Sequence, residues 1–370
     1  MDDAFTARGF LPARDPLREF PAGSPYRILD HIGDALPQRL LDPEFRAWAE
    51  RLSLPPWRGA LTPESLPLLR LYYVRLGFLV SGYVNQIGVP PTHRVPANLA
   101  VPFADACAVL GRPPILSYDG YALYNWYRID PNGPIALGNI DTFQNFVTLY
   151  DEHWFILVHV EIEALAARSL AAMIELLQSR GTTNPRHVNA GIRTITQNVL
   201  DMTAVLRRIP ERMSPDLYFR DFRPYIRFFE DVVYEGVSAE PQSRRGETGA
   251  QSTVIPALVA FFKIFHEPSA LTRHVADMRH YMPVSHRVLL EQLEAAPDPR
   301  GVAEPATYNA AMEAIAEFRS VHYGWAQQYI AQRVSDPRGT GGTPFMSWLK
   351  QLIDETLAHR IPEKRAHTGG

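Results

Sequence analysis

From about residue 142 onward, apolar side chains recur at helical spacing in segment after segment with no alternation of strand type, which restricts this part of the chain to helix packed on helix. The segments that read as helices are 142–180, 186–208, 215–232, 252–266, 269–280, 305–333 and 344–358. Before them the texture differs. Residues 1–40 are proline-rich and read as an extended wrapping segment. Asp42-Pro43 and Thr62-Pro63 then signal helix starts, because a proline in the first turn gives up an N–H that has no helical partner there. Phe45, Trp48, Ala49 and Leu52 follow the first signal, and Leu66, Leu69, Tyr73, Leu76 and Val80 follow the second. From Gly88 to Pro134 the chain is dense in Pro, Gly and aromatics and reads as irregular, with a short helix or two. A length of 370 residues is long for one core, so two units are expected, residues 1–141 and 142–370.

Composition narrows the function classes. With 37 Lys plus Arg against 40 Asp plus Glu and no basic block, nothing points to nucleic acid or to an anionic membrane surface. The only cysteine is Cys107, which excludes a disulfide framework, a CxxC zinc site and a CxxCH haem attachment. Its neighbours in ADACAVL are small and apolar, so it reads as a buried structural thiol. Any metal must therefore be held by His or carboxylate, or arrive inside a cofactor. The longest apolar stretch, Leu66 to Val84, is interrupted by Arg70 and Arg75 and reads as a buried helix rather than a membrane span. MDDAFTARGF has no apolar core of a secretory signal, and a cytoplasmic location is expected.

No HExxH, GxSxG, GxxxxGKS or GxGxxG signature is present. That leaves the 12 histidines as the main candidates for chemistry. Ile315, Phe318, His322, Trp325 and Tyr329 step along one helical face, so the His322 imidazole points inward. It is either a ligand to a metal or haem iron or a core histidine satisfied by a hydrogen bond. His153 and Leu157 lie one turn apart, with Glu161 a turn further and His159 about a quarter-turn off that face. His153 is read either as a polar group in a pocket or as a helix-surface residue. Arg223, amid the aromatics of YFRDFRPYIRFF, would suit a carboxylate, which its planar fork can grip at both oxygens, unless it is solvated or paired at the surface. GETGAQS could offer backbone N–H groups to an anion and GTGGT could serve as a lid, if they are more than connectors.

Several of these segments, in this order, resemble the indoleamine 2,3-dioxygenase family: NLAVPF (98–103), PPILSYDGYALYNW (113–126), VEI (160–162), VYEG (233–236), GAQS (249–252), DMRHYMP with HR (277–287), FRSVH (318–322) and RGTGGT (338–343). The resemblance implies a mainly α fold, with a large all-helical haem-binding domain capped by a smaller, mainly helical N-terminal domain. It implies haem b, ferrous in the active form, with His322 as its iron ligand and Arg319 near a propionate. Arg223 matches the arginine that pairs with the substrate carboxylate, and Tyr218 an aromatic beside the indole. Tyr118, Tyr121 and Ala122 match a pocket wall, Gly249 and Ala250 the backbone beside substrate and haem edge, and Thr340 the lid. The implied reaction joins O2 to the C2–C3 bond of L-tryptophan or a related indole to give N-formylkynurenine. No nucleic-acid or membrane partner is implied, and a monomer is compatible with all of it.

Counting back from VEI places Leu157 at a pocket serine of the mammalian enzymes and His153 at an aromatic facing the indole. The acidic partner of Arg319 falls on Val259. These departures keep two alternatives open: another haem reaction on a tryptophan-like substrate, such as the ring rearrangement of pyrrolnitrin-pathway relatives, and a haem-binding or sensing protein without turnover.

Overall fold

The computed structural model describes residues 4–178, 184–333 and 345–362, and these form a mainly helical fold with a few short strands. In the N-terminal part the centre is the helix Leu66–Val84, whose residues from Leu71 to Val84 are all buried. Arg75 is buried within it with its two terminal nitrogens paired: Gln144 Oε1 accepts at 2.7 Å, the Arg18 carbonyl at 3.0 Å, and Asp30 pairs with it at 3.3 Å. A charge so enclosed stays in a protein core, and no described helix is long and apolar enough to cross a membrane.

The first 40 residues are not wholly extended, because Arg27–Arg39 is a helix with Pro37 inside it. Leu29, Ile32 and Leu36 bury its apolar face. Proline has no N–H to give the Gly33 carbonyl, and Gln144 Nε2 supplies that bond instead at 3.1 Å. Helix Ala97–Val109 carries the fully buried Cys107, whose thiol burial pushes up to about 12.

The expected helix 142–180 begins later and breaks once, as Tyr150–Leu165 and Ala167–Gln178. Glu152 explains the late start: its carboxyl accepts from the Phe146 and Val147 backbone N–H groups and from the Tyr121 hydroxyl, which ties residues 146–147 into a non-helical approach. The expected helix 215–232 is absent beyond a first turn. Arg223 keeps helical backbone ahead of Pro224; the chain passes through a wider turn at Tyr218–Phe222 and a tighter one at Arg223–Ile226, becomes extended at Arg227, and forms a strand at Phe229–Tyr234. That strand lies between Arg94–Val95, parallel, and Gln242–Arg244, antiparallel. A helix that periodicity did not mark, Val284–Ala295, buries Leu289, Leu290 and Leu293.

The remaining helices are close to expectation: Pro185–Leu206, Val254–Phe262, Ala270–Met278, Pro305–Tyr329 and Phe345–Ala358. Asn184 caps the first by accepting from Arg186 N, and Ser269 and Thr272 form a reciprocal capping box on the third. Two clusters of buried apolar side chains result. One is drawn mostly from residues 11–160 and joined by Tyr225 to Tyr234; the other is drawn mostly from residues 154–329 and joined by Phe5 and Phe10.

Candidate functional site

The long helix Pro305–Tyr329 turns Phe318, His322, Trp325 and Tyr329 toward a cavity of about 330 Å³. These positions recur at i, i+4, i+7 and i+11, one stripe of a 3.6-residue repeat. Across from them the helix Tyr150–Leu165 contributes Phe155, His159 and Ile162. Tyr118, Tyr218 and the loop Glu247–Ala250 complete this part of the wall.

The His322 side chain is exposed, and it borders the cavity, whose walls desolvate the ring. Burial lowers its pKa to about 4, with the nearby His159 acting in the same direction, so the ring is neutral at physiological pH. Among the described residues it makes no hydrogen bond. A neutral imidazole presenting a lone pair to a mostly apolar cavity is what a histidine holding haem iron would require, and the site fits haem on this criterion. Among the described residues no group of three or more His, Cys, Asp or Glu side chains could hold a bare metal ion.

His159 is fixed by its own helix. Its Nδ1 lies 2.7 Å from the Phe155 carbonyl, which can only accept, so Nδ1 carries the proton. Burial lowers its pKa as well, which leaves Nε2 a lone-pair acceptor held away from the helix, on the cavity side. Beneath this wall, Tyr118 donates to Glu163 Oε1 at 2.7 Å and Ser252 donates to the same oxygen at 2.6 Å. Burial nonetheless raises Glu163 to about 7.

Arg319, one turn before His322, gives its Nη1 to the Leu352 carbonyl at 2.6 Å and to Thr356 Oγ1 at 2.5 Å. Its Nη2 approaches His266 Nε2 at 3.5 Å, and His266 Nδ1 donates to Glu355 at 2.5 Å. Burial lowers Arg319 to about 10, with Glu355 opposing the fall. The acidic group behind Arg319 is thus Glu355, through His266. Val259, to which counting assigned that place, is an aliphatic part of the cavity wall.

Of the expected site residues, Tyr118, Tyr218, Gly249, Ala250, Arg319 and His322 all line the cavity. Arg223 is buried just behind, hydrogen-bonded to the Tyr218 hydroxyl and 5.5 Å from the Phe219 ring. Four expectations are corrected. His153 faces away, bound to Asp141 at 2.7 Å and Thr142 at 2.9 Å. Leu157 packs into the first apolar cluster. The cavity face of that helix is Phe155, His159 and Ile162, so the register taken from VEI was two residues out, and Glu163 rather than Glu161 points inward. Tyr121 is held by Glu152 and packs behind Phe155, and Ala122 is buried off the wall. Thr340 and all of RGTGGT (338–343) lie outside the described residues.

The residues that sequence reading missed are His159, Phe155, Glu163, His266 and Glu247. The 155/159/162 spacing was available in the sequence as an alternative helical face. Glu247 carried no signal except its place inside the glycine loop.

Comparison with known proteins is consistent with this arrangement. The family model described as Indoleamine 2,3-dioxygenase matches residues 3–359. The chain is 30% identical to Indoleamine 2,3-dioxygenase 2 of Homo sapiens, over 94% of this chain and 92% of that protein. It is 24% identical to the 6-hydroxytryptophan 2,3-dioxygenase of Fusarium equiseti, over 96% and 98% of the two chains. It is also 26% identical to a protein named Myoglobin from Haliotis madaka, over 94% and 95%.

Proposed function

The chain belongs to the indoleamine 2,3-dioxygenase family, and from that premise we propose that it is a haem-dependent dioxygenase acting on L-tryptophan or a close indole. The observation that carries this reading is His322, a neutral imidazole without a protein partner among the described residues, bordering a mostly apolar cavity.

In this reading His322 ligates haem b, ferrous in the active form, and Arg319 holds a propionate from the same helix. Bound haem supplies O2 activation, so that the electron-rich C2–C3 bond of an indole can be oxidised without a protein nucleophile. The chain's own residues do the rest. Phe155 and Tyr218 give the indole apolar and aromatic surface and exclude water. Arg223, from behind Tyr218, meets the substrate carboxylate with a charge-assisted bond. His159 Nε2 accepts the indole N–H, which orients the ring and leaves no imidazole N–H to compete for it. Gly249 and Ala250 border the substrate without side-chain bulk, and Thr340 closes the lid. Residues 1–141 act as the smaller cap, through Tyr118, and the ligand-bearing helices lie in the part from residue 142 onward. The protein is placed in the cytoplasm.

The haem carrier without turnover is the alternative that the Haliotis relative's name keeps in view, and one experiment separates the two. Reduced, haem-loaded protein is incubated with L-tryptophan and isotopically labelled O2, and the product is weighed. A product carrying both labelled atoms is expected; no product, or any other mass change, overturns the dioxygenase assignment.

A further inference from the structure

Glu247 is the one described carboxylate on the cavity wall, and it is 3% exposed. Among the described residues its side chain has no hydrogen-bond partner and no counter-charge in contact. Burial alone raises it to about 8. An isolated carboxyl buried at this depth is costly to the fold and has no structural bond to justify it.

Its position is set by the segment that carries Arg223. Glu247 N donates to the Ile226 carbonyl at 3.1 Å. Gly246 lets the two strands of chain touch: a Cβ there would lie 2.3 Å from the Ile226 oxygen. Arg223 hydrogen-bonds Tyr218, and Tyr218 and Glu247 line the same cavity. A guanidinium and a carboxyl group are therefore carried on segments bonded to each other, beside the same cavity.

We propose that Glu247 binds the α-ammonium group of the substrate, so that Arg223 and Glu247 together select a zwitterionic α-amino acid over indoles lacking either charge. The inference rests on the proposed tryptophan-type substrate and narrows it. The ammonium supplies the counter-charge and the hydrogen bonds that the buried carboxylate lacks in the described chain.

The test compares L-tryptophan with indole-3-propionate, which keeps the ring and carboxylate and lacks the amine. Dissociation constants are measured by haem spectral titration and by calorimetry on haem-loaded wild type and Glu247→Gln. Wild type should prefer L-tryptophan by about 10- to 100-fold, and the variant should lose most of that preference with its haem spectrum unchanged. Preference unaltered in Glu247→Gln overturns the proposal. Should that variant fail to fold, the wild-type comparison still decides, since equal affinity for the two ligands overturns it too. Binding with the expected preference but without a doubly labelled product would refute the dioxygenase reading and leave this one standing.

Discussion

Glu163→Gln isolates what it costs to keep a carboxyl buried under the cavity wall. Burial raises Glu163 from 4.5 to about 7, so the folded chain keeps a proton that the unfolded chain has already lost. The resulting stability is fully present below pH 4.5 and is lost as pH rises through about 7. Between pH 5 and pH 8 this one group should account for roughly 2–3 kcal/mol of lost stability. Glutamine keeps an oxygen to accept from Tyr118 and Ser252 and does not titrate, so it removes the pH term while sparing the contacts. Urea unfolding of the haem-free protein at several pH values, followed by two probes to check for two-state behaviour, measures it. The buried Glu152 and Glu247 are raised in the same direction, and they cancel when variant and wild type are compared. The wild type should lose roughly 2–3 kcal/mol more than Glu163→Gln over this range. Parallel profiles would refute the reasoning.

Arg223→Ala should raise KM for L-tryptophan by about 10- to 100-fold and change tryptamine, which has no carboxylate, far less; equal losses for both would count against a carboxylate role. His159→Ala should lower kcat/KM for L-tryptophan by about tenfold, whereas His153→Ala should stay within about twofold, and the opposite order would restore the register that the structure rejects. Gly9 has φ +65° and its added Cβ would lie 1.8 Å from the Glu163 carbonyl oxygen. Gly9→Ala should therefore cost about 2–4 kcal/mol of stability, read from denaturant midpoints; a neutral substitution would show that this contact gives way easily.

The sequence made the helices legible wherever caps and apolar spacing agreed, as at Asn184-Pro185 and Ser269. It misled where one residue redirected the backbone. Pro37 suggested no helix at Arg27–Arg39 because the bond that rescues the Gly33 carbonyl comes from Gln144, over 100 positions away. The Tyr218–Ile226 turns were hidden because YFRDFRPYIRFF has helical spacing on either side of Pro224. In the site, the His322 stripe was readable from one helix alone. His159 was not, since 153/157/161 and 155/159/162 are both regular faces of the same helix and only the packed partner decides between them. Glu247 is legible only in three dimensions: its significance is the absence of a partner among the described residues, which no spacing records.

The most direct check of the account is a haem titration of wild type and His322→Ala followed by optical spectroscopy, with circular dichroism to confirm that both are folded. The wild type should take up one haem with the spectrum of a histidine-ligated iron, and the variant should lose that spectrum and most of its affinity. A folded His322→Ala with an unchanged haem spectrum would contradict the ligand assignment on which the proposed oxygen chemistry depends.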